Sequence, residues 1–239
     1  MAMKHKVLTV LGLGHEAVQA FQEGLSEGAR RACGTYERWC AKDVLAHIAF
    51  WQEHRARSIN AVKTGESVPP VGDDEVANAA CFAEHQQQSW EEMGAYAERV
   101  HRALVQAVQG VDELALMDAA YVPGPQHRPL WEMIVNTAYL HPASHLAQYY
   151  VEHGQLEAAV EVQRAASDAL AGLEDSGEWK GLLRYNLACV YALAGHAEEA
   201  MAELRAALAL RPSLVEWSKQ DSDLVSLRDR ADYQALYAG

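Results

Sequence analysis

The feature that most narrows the fold is a helical period that returns in one segment after another. In residues 4–27, Val7, Leu8, Leu11, Val18, Phe21 and Leu25 recur at steps of three, four and seven, the stripe of an amphipathic helix. Residues 41–63 predict a second helix with Val44, His47, Ile48 and Trp51 facing inward, and Asp43 stands where a carboxylate complements the amides of a first turn. The stretch "TGESVPPVGDD", 64–74, reads as a loop from its glycines and paired prolines. A third, longer helix is expected over 74–109, with Trp90, Met93, Tyr96, Val100, Leu104 and Val108 along one side. "YVPGPQHRP", 121–129, is another break, and a fourth helix is expected from Leu130 to His153. Together these predict an all-α chain that opens with a four-helix bundle, whose interior sites are built from side chains on facing helices.

One pattern competes at the amino terminus. "KVLTVLGLGHEA" can be read as a strand followed by Gly12, Gly14 and Ala17 in the spacing GxGxxA, the phosphate-binding turn of a dinucleotide fold. That turn needs a second parallel strand about 30 residues on. The segment at that distance, "WCAKDVLAHIAFWQEHRARSINAV", has a helical period, so the nucleotide reading is the weaker one.

Half of the 239 residues are apolar, enough for a sizeable core. Cys33, Cys40, Cys81 and Cys189 form no CxxC pair and are scattered, which fits reduced, mostly buried thiols and predicts a cytoplasmic protein. No run approaches the roughly 20 apolar residues of a membrane helix. The formal charge of −13 is spread, with 12 basic and 19 acidic residues in 1–155 and 8 and 14 in 156–239. An evenly acidic surface opposes counterion release, so neither nucleic acid nor an anionic membrane is an expected partner.

After Gly154 the character changes. In "GLLRYNLACVYALAGHAEEAMAELRAALALRPS", Leu187, Ala188, Tyr191, Gly195, Ala200, Leu204, Ala207 and Pro212 stand at the positions that define a tetratricopeptide repeat, which the segment resembles. A fainter copy lies upstream: Tyr150, Gly154, Ala159 and Ala166 repeat the spacings of Tyr191, Gly195, Ala200 and Ala207 at an offset of 41 residues, with Gln163 opposite Leu204. The end of the fourth helix is therefore expected to serve as the first helix of a degenerate repeat, with excess length absorbed around "LEDSGEWKG". Trp217, Leu224, Leu227, Tyr233 and Leu236 are expected to cap the open end. The expected domains are 1–154, the bundle, and 155–239, the helical extension.

His141 and His145 share a helix face in "YLHPASHLAQYY", with Pro142 between them, and His47 lies 94 residues upstream. Here the first part of the chain looks familiar. "WCAKDVLAHIAFWQEH" resembles the tryptophan, lysine-aspartate, histidine motif of the DinB-like four-helix-bundle superfamily. With "DDEVANAACFAEHQQQSWEEM" and "PLWEMIVNTAYLHPASHLAQYY", the bundle is most similar to the DfsB/ClbS branch. The resemblance covers about two thirds of the chain. It implies that His47, His141 and His145 hold a divalent ion, zinc or nickel. Three neutral imidazoles leave a coordination position open, at which a water is acidified or a thiol held as thiolate. The resemblance implies a metal-dependent hydrolase or a thiol-dependent transferase acting on a small molecule.

Pro142 departs from the pattern, since it cannot donate to the carbonyl of Ala138 and is expected to kink the helix and re-aim the pair. His54, one heptad beyond His47, is an alternative ligand. Trp51, Asn78, Asn136, Tyr139 and Tyr149 lie near the expected cavity, the aromatics as packing and the amides as groups that orient a ligand. Arg55, Arg57 and Arg128 are candidates for a basic rim that takes the carboxylates of a thiol cofactor. No catalytic residue is assignable, and no GxSxG elbow or phosphate-cradling lysine motif is present. Two other readings stand: a metal-free bundle of the same branch that sequesters or hydrolyses a reactive molecule, and an interaction protein whose repeat recruits a partner or forms a homodimer.

Overall fold

The computed structural model describes residues 2–123 and 127–237. Among the described residues everything regular is helical apart from an isolated bridge between Thr35 and Arg38. No helix there is long and apolar enough to cross a membrane. The chain divides into two compact units, Met1–His145 and Leu146–Gly239.

In the first unit the long helices are α1 (Met3–Gly24), α3 (Ala41–Thr64) and α5 (Trp90–Gln109), with shorter α2 (Glu27–Arg31), α4 (Asp74–His85) and α6 (Glu113–Met117) between and after them. The expected fourth helix is α7 (Leu130–Val135), a π-helical turn over Asn136–Leu140, and α8 (His141–Glu152), within which the division into units falls. Four of these close a ring: α3 packs on α5, α1 on α5, α7 and the π turn, and α3 on the π turn. Phe21, Leu11, Leu45, Ile48, Met93, Leu104 and Ile134 fill the space between them. Gly12, Gly14 and Ala17 lie inside α1, so the phosphate-binding turn does not form.

The helix expected over 74–109 is two helices. Ser89 starts α5 with a capping box: its amide donates to Glu92 Oε2 at 2.7 Å, and its Oγ accepts from the Glu92 amide at 3.1 Å. Lys42 Nζ donates to the carbonyls of Gln86 and Gln88, both at 2.8 Å, and so holds the turn between the two helices. Its neighbour Asp43 accepts from the Cys40 amide at 2.9 Å and closes the start of α3. The lysine-aspartate pair is thus occupied in architecture.

Pro142 acts one turn earlier than expected. The His141 amide donates five residues back to Asn136, a wider turn that lets His141 and Pro142 open a fresh helical segment, where the missing proline N–H costs nothing. The Ala138 carbonyl, deprived of its donor, lies against α1 at Gly14. A Cβ on Gly14 would stand 2.1 Å from that oxygen.

The second unit contains α9 (Leu156–Leu170), α10 (Gly177–Leu193) and α11 (Ala197–Leu210), with α10 packed on both neighbours and on the 3₁₀ segment Ser222–Leu227. Ala188, Ala200, Leu204 and Ala207 are fully buried where helices meet. The turns after Tyr150 and Tyr191 share one geometry: Gly154 and Gly195 have φ of 71° and 81°, and the following amides, Gln155 and His196, donate to Tyr150 and Tyr191 carbonyls at 2.8 and 2.9 Å. Leu224, Leu227 and Tyr233 are buried as the cap requires, and Leu236 packs against them. Trp217 does not join them; it is 55% exposed.

The contact at Gly14 yields a paired test. Gly14→Ala forces a methyl into the Ala138 carbonyl and is expected to destabilise the fold by about 1–3 kcal/mol. Gly12→Ala, on the same helix with nothing within 4 Å of its added Cβ, is expected to be neutral or stabilising by up to about 1 kcal/mol. Urea unfolding of the two variants measures the difference.

Candidate metal centre

His47 is carried by α3, His141 opens α8, and His145 comes one turn later. The structure brings the three together: each Nε2 lies 3.0 Å from the other two. His47 is buried and the other two half-buried. Two indoles wall the group. The Trp39 ring is 4.7 Å from His47 and 5.9 Å from His145, and the Trp51 ring is 6.3 Å from His47 and 6.5 Å from His141. Trp51 is in turn fixed by its Nε1–H, which donates to Asn78 Oδ1 at 3.1 Å.

Three nitrogens this close cannot satisfy one another. A neutral imidazole nitrogen is either a donor or an acceptor, so among three mutual neighbours at least two must be alike and repel. A single cation reached by three lone pairs removes the conflict. With metal–nitrogen bonds of about 2.0–2.1 Å, a 3.0 Å triangle corresponds to angles of roughly 90–100° at the ion, which leaves further positions open. The residues present therefore fit a divalent ion, and the group can hold one.

The protonation states agree. Burial, followed by the charge His145 would carry, pulls His47 down to about 3, and burial pulls His145 down to about 4. His141 is held well below the ordinary imidazole range by burial, then by its two neighbours. All three are neutral at physiological pH, the form that ligates a metal. Nδ1 of His47 and of His141 are buried without a hydrogen-bond partner, so the orientation of these rings rests on packing against the indoles and not on a carboxylate.

A second group, Cys189, Asp221 and Asp223, also brings possible ligand atoms together. Its chemistry is different. The Asp221 carboxylate already accepts from Tyr185 Oη at 2.7 Å, Trp217 Nε1 at 3.1 Å and the Cys189 thiol at 3.7 Å. Burial, then the nearby aspartates, push that thiol well above its ordinary pKa, which keeps it protonated. The group is a hydrogen-bonded tie between α10 and the capping segment.

Of the other candidates, His54 is not in the triangle: its Nε2 is 3.3 Å from Ser58 Oγ. Asn136 is exposed, because it opens the π turn on its outer side, and it orients nothing. Tyr139 is buried, and burial followed by Glu16 raises its pKa, so its phenol stays protonated. Tyr149 stacks on His153 with ring centres 4.0 Å apart. Arg57 is exposed and 4.0 Å from Glu53. Trp39, the first residue of the tryptophan, lysine-aspartate, histidine motif, is a wall residue that helical periodicity does not place beside His47, because it precedes α3.

Residues 183–214 match the family model described as "Tetratricopeptide repeat". No curated protein and no solved structure matches the chain.

The depressed imidazole pKa values contribute to the acid response of metal-free protein. Below the unfolded value of about 6.5 the unfolded chain binds more protons than the folded one, so stability present above that pH is lost as pH falls toward about 3–4. Chemical denaturation of chelator-treated protein from neutral to acid pH should show this loss, with a shallower decline in His47→Gln.

Proposed function

We propose that this chain is a metal-binding member of the DinB-like superfamily, closest to its DfsB/ClbS branch, with residues 1–154 as the bundle and 155–239 as a helical-repeat extension. His47, His141 and His145 hold a divalent ion, zinc or nickel. The observation that carries the reading is the triangle of Nε2 atoms, each 3.0 Å from the others, buried deeply enough that all three imidazoles are neutral. When bound, the ion supplies Lewis acidity at its open positions, acidifying a water or holding a thiol as thiolate. The protein's own contribution is to present three aligned lone pairs and to wall the site with Trp39 and Trp51. The substrate is a small molecule, and the reaction is metal-dependent hydrolysis or a thiol-dependent transfer.

A second reading draws on the tetratricopeptide match at 183–214. Such repeats commonly present surfaces to other proteins, so the extension recruits a partner or a second copy of the chain. A peptide groove usually takes about three repeats, so assembly is the better-supported form of this role.

Elemental analysis of tag-free protein tests the first reading. About one zinc or nickel per chain is expected in wild type and none in His141→Ala or His47→Gln, with chelator lowering the melting temperature of wild type alone. Metal-free wild type that takes up no added zinc or nickel would remove this function.

A further inference from the structure

Arg55 is a charge that the first unit leaves uncompensated. It sits half-buried on α3, one residue after His54. Its Nε–H donates to the Thr137 hydroxyl at 3.4 Å, and Nη1 approaches Met133 Sδ at 4.0 Å. Both are long contacts with neutral, weak acceptors. Among the described residues no carboxylate lies within 4.0 Å of it, whereas Arg57 reaches Glu53 and Arg128 reaches Glu132. Burial alone draws the guanidinium down to about 10. A desolvated guanidinium without an anion is costly, and the five-donor fork of arginine is left largely free to take one.

The group opens onto space. Arg55 lines a cavity of about 880 Å³ whose wall also includes Arg128, His54 and Tyr121, with Val62, Val122 and Met133 as apolar surface. Two acids, Glu66 and Asp74, also line it, both on exposed residues and neither reaching Arg55. The cavity therefore has a cationic, partly apolar floor beneath an acidic rim. That combination admits a monoanion with an apolar body and disfavours a phosphate dianion, which the rim acids repel more strongly. Trp51 neighbours both His54, which lines this cavity, and His141, its ring centre 6.1 Å from the one and 6.5 Å from the other.

We infer that this cavity is a binding site for a small apolar carboxylate, whose carboxylate pairs with the Arg55 guanidinium. The site is defined without the imidazole ligands, so it stands or falls independently of the metal.

The test uses full-length, chelator-treated protein and three probes of one chain length: hexanoate, hexanamide and hexyl phosphate. Affinities are read by saturation-transfer NMR titration in wild type, Arg55→Met and Arg57→Met. Hexanoate is expected to bind wild type and Arg57→Met at least about tenfold more tightly than hexanamide, and that preference is expected to vanish in Arg55→Met. Arg55→Met should also melt no lower than wild type, since it removes a desolvated charge. Should that variant not fold, the preference of wild type for hexanoate over hexanamide decides the matter alone. Equal binding of the two, no binding of either at millimolar concentration, or a preference that survives in Arg55→Met overturns the site. Tighter binding of hexyl phosphate than of hexanoate overturns its assignment to carboxylates.

Discussion

The arrangement of the first unit turns on where one carbonyl goes. Pro142 has no N–H, so the Ala138 oxygen loses the donor an α-helix would give it. The chain responds with a π turn over Asn136–Leu140, and α1 accommodates the freed oxygen at Gly14, where any side chain would collide with it. This contact sets the close approach of α1 to the fourth segment and restarts the helix at His141. His141 and His145 then share the face that meets His47 on α3. The proline that breaks the pattern of the histidine pair is the residue that positions it.

Once convergent, the imidazoles have few options. Burial keeps them neutral, and neutral nitrogens 3.0 Å apart in a triangle cannot all be hydrogen-bonded to one another. The indoles of Trp39 and Trp51 pack against the rings, and among the described residues no carboxylate pairs with any of the three. A cation is the simplest partner for such a group. The same unit holds Arg55 as an unpaired cation facing its own cavity, so the two poorly compensated features of the bundle ask for ligands of opposite charge.

Much of the helical layout is legible in the sequence, because the period of Val7 to Leu25, of Val44 to Trp51 and of Met93 to Val108 reports a buried face directly. The break between α4 and α5 is also written there, in the Ser89 and Glu92 capping box, but the apolar stripe runs on across it and masks the signal. The π turn is not legible: its stability depends on Gly14, more than 120 residues away, and no local pattern announces that contact. Asn136 therefore faces outward, against expectation. The three histidines emerge through a resemblance and not through periodicity, which could equally have favoured His54 at one heptad from His47. Gln163 repeats the position of Leu204 in the upstream copy of the repeat and is fully buried, with both amide atoms unpartnered. The offset of the two copies predicts that placement, though not the cost of an amide there.

In the reading proposed above, three imidazole nitrogens converge on one ion. X-ray absorption spectroscopy of zinc- or nickel-loaded protein addresses it most directly. Three imidazole nitrogens at about 2.0–2.1 Å are expected around the ion, visible through the outer-ring scattering of histidine. A bound ion with no more than one imidazole in its shell would contradict that reading.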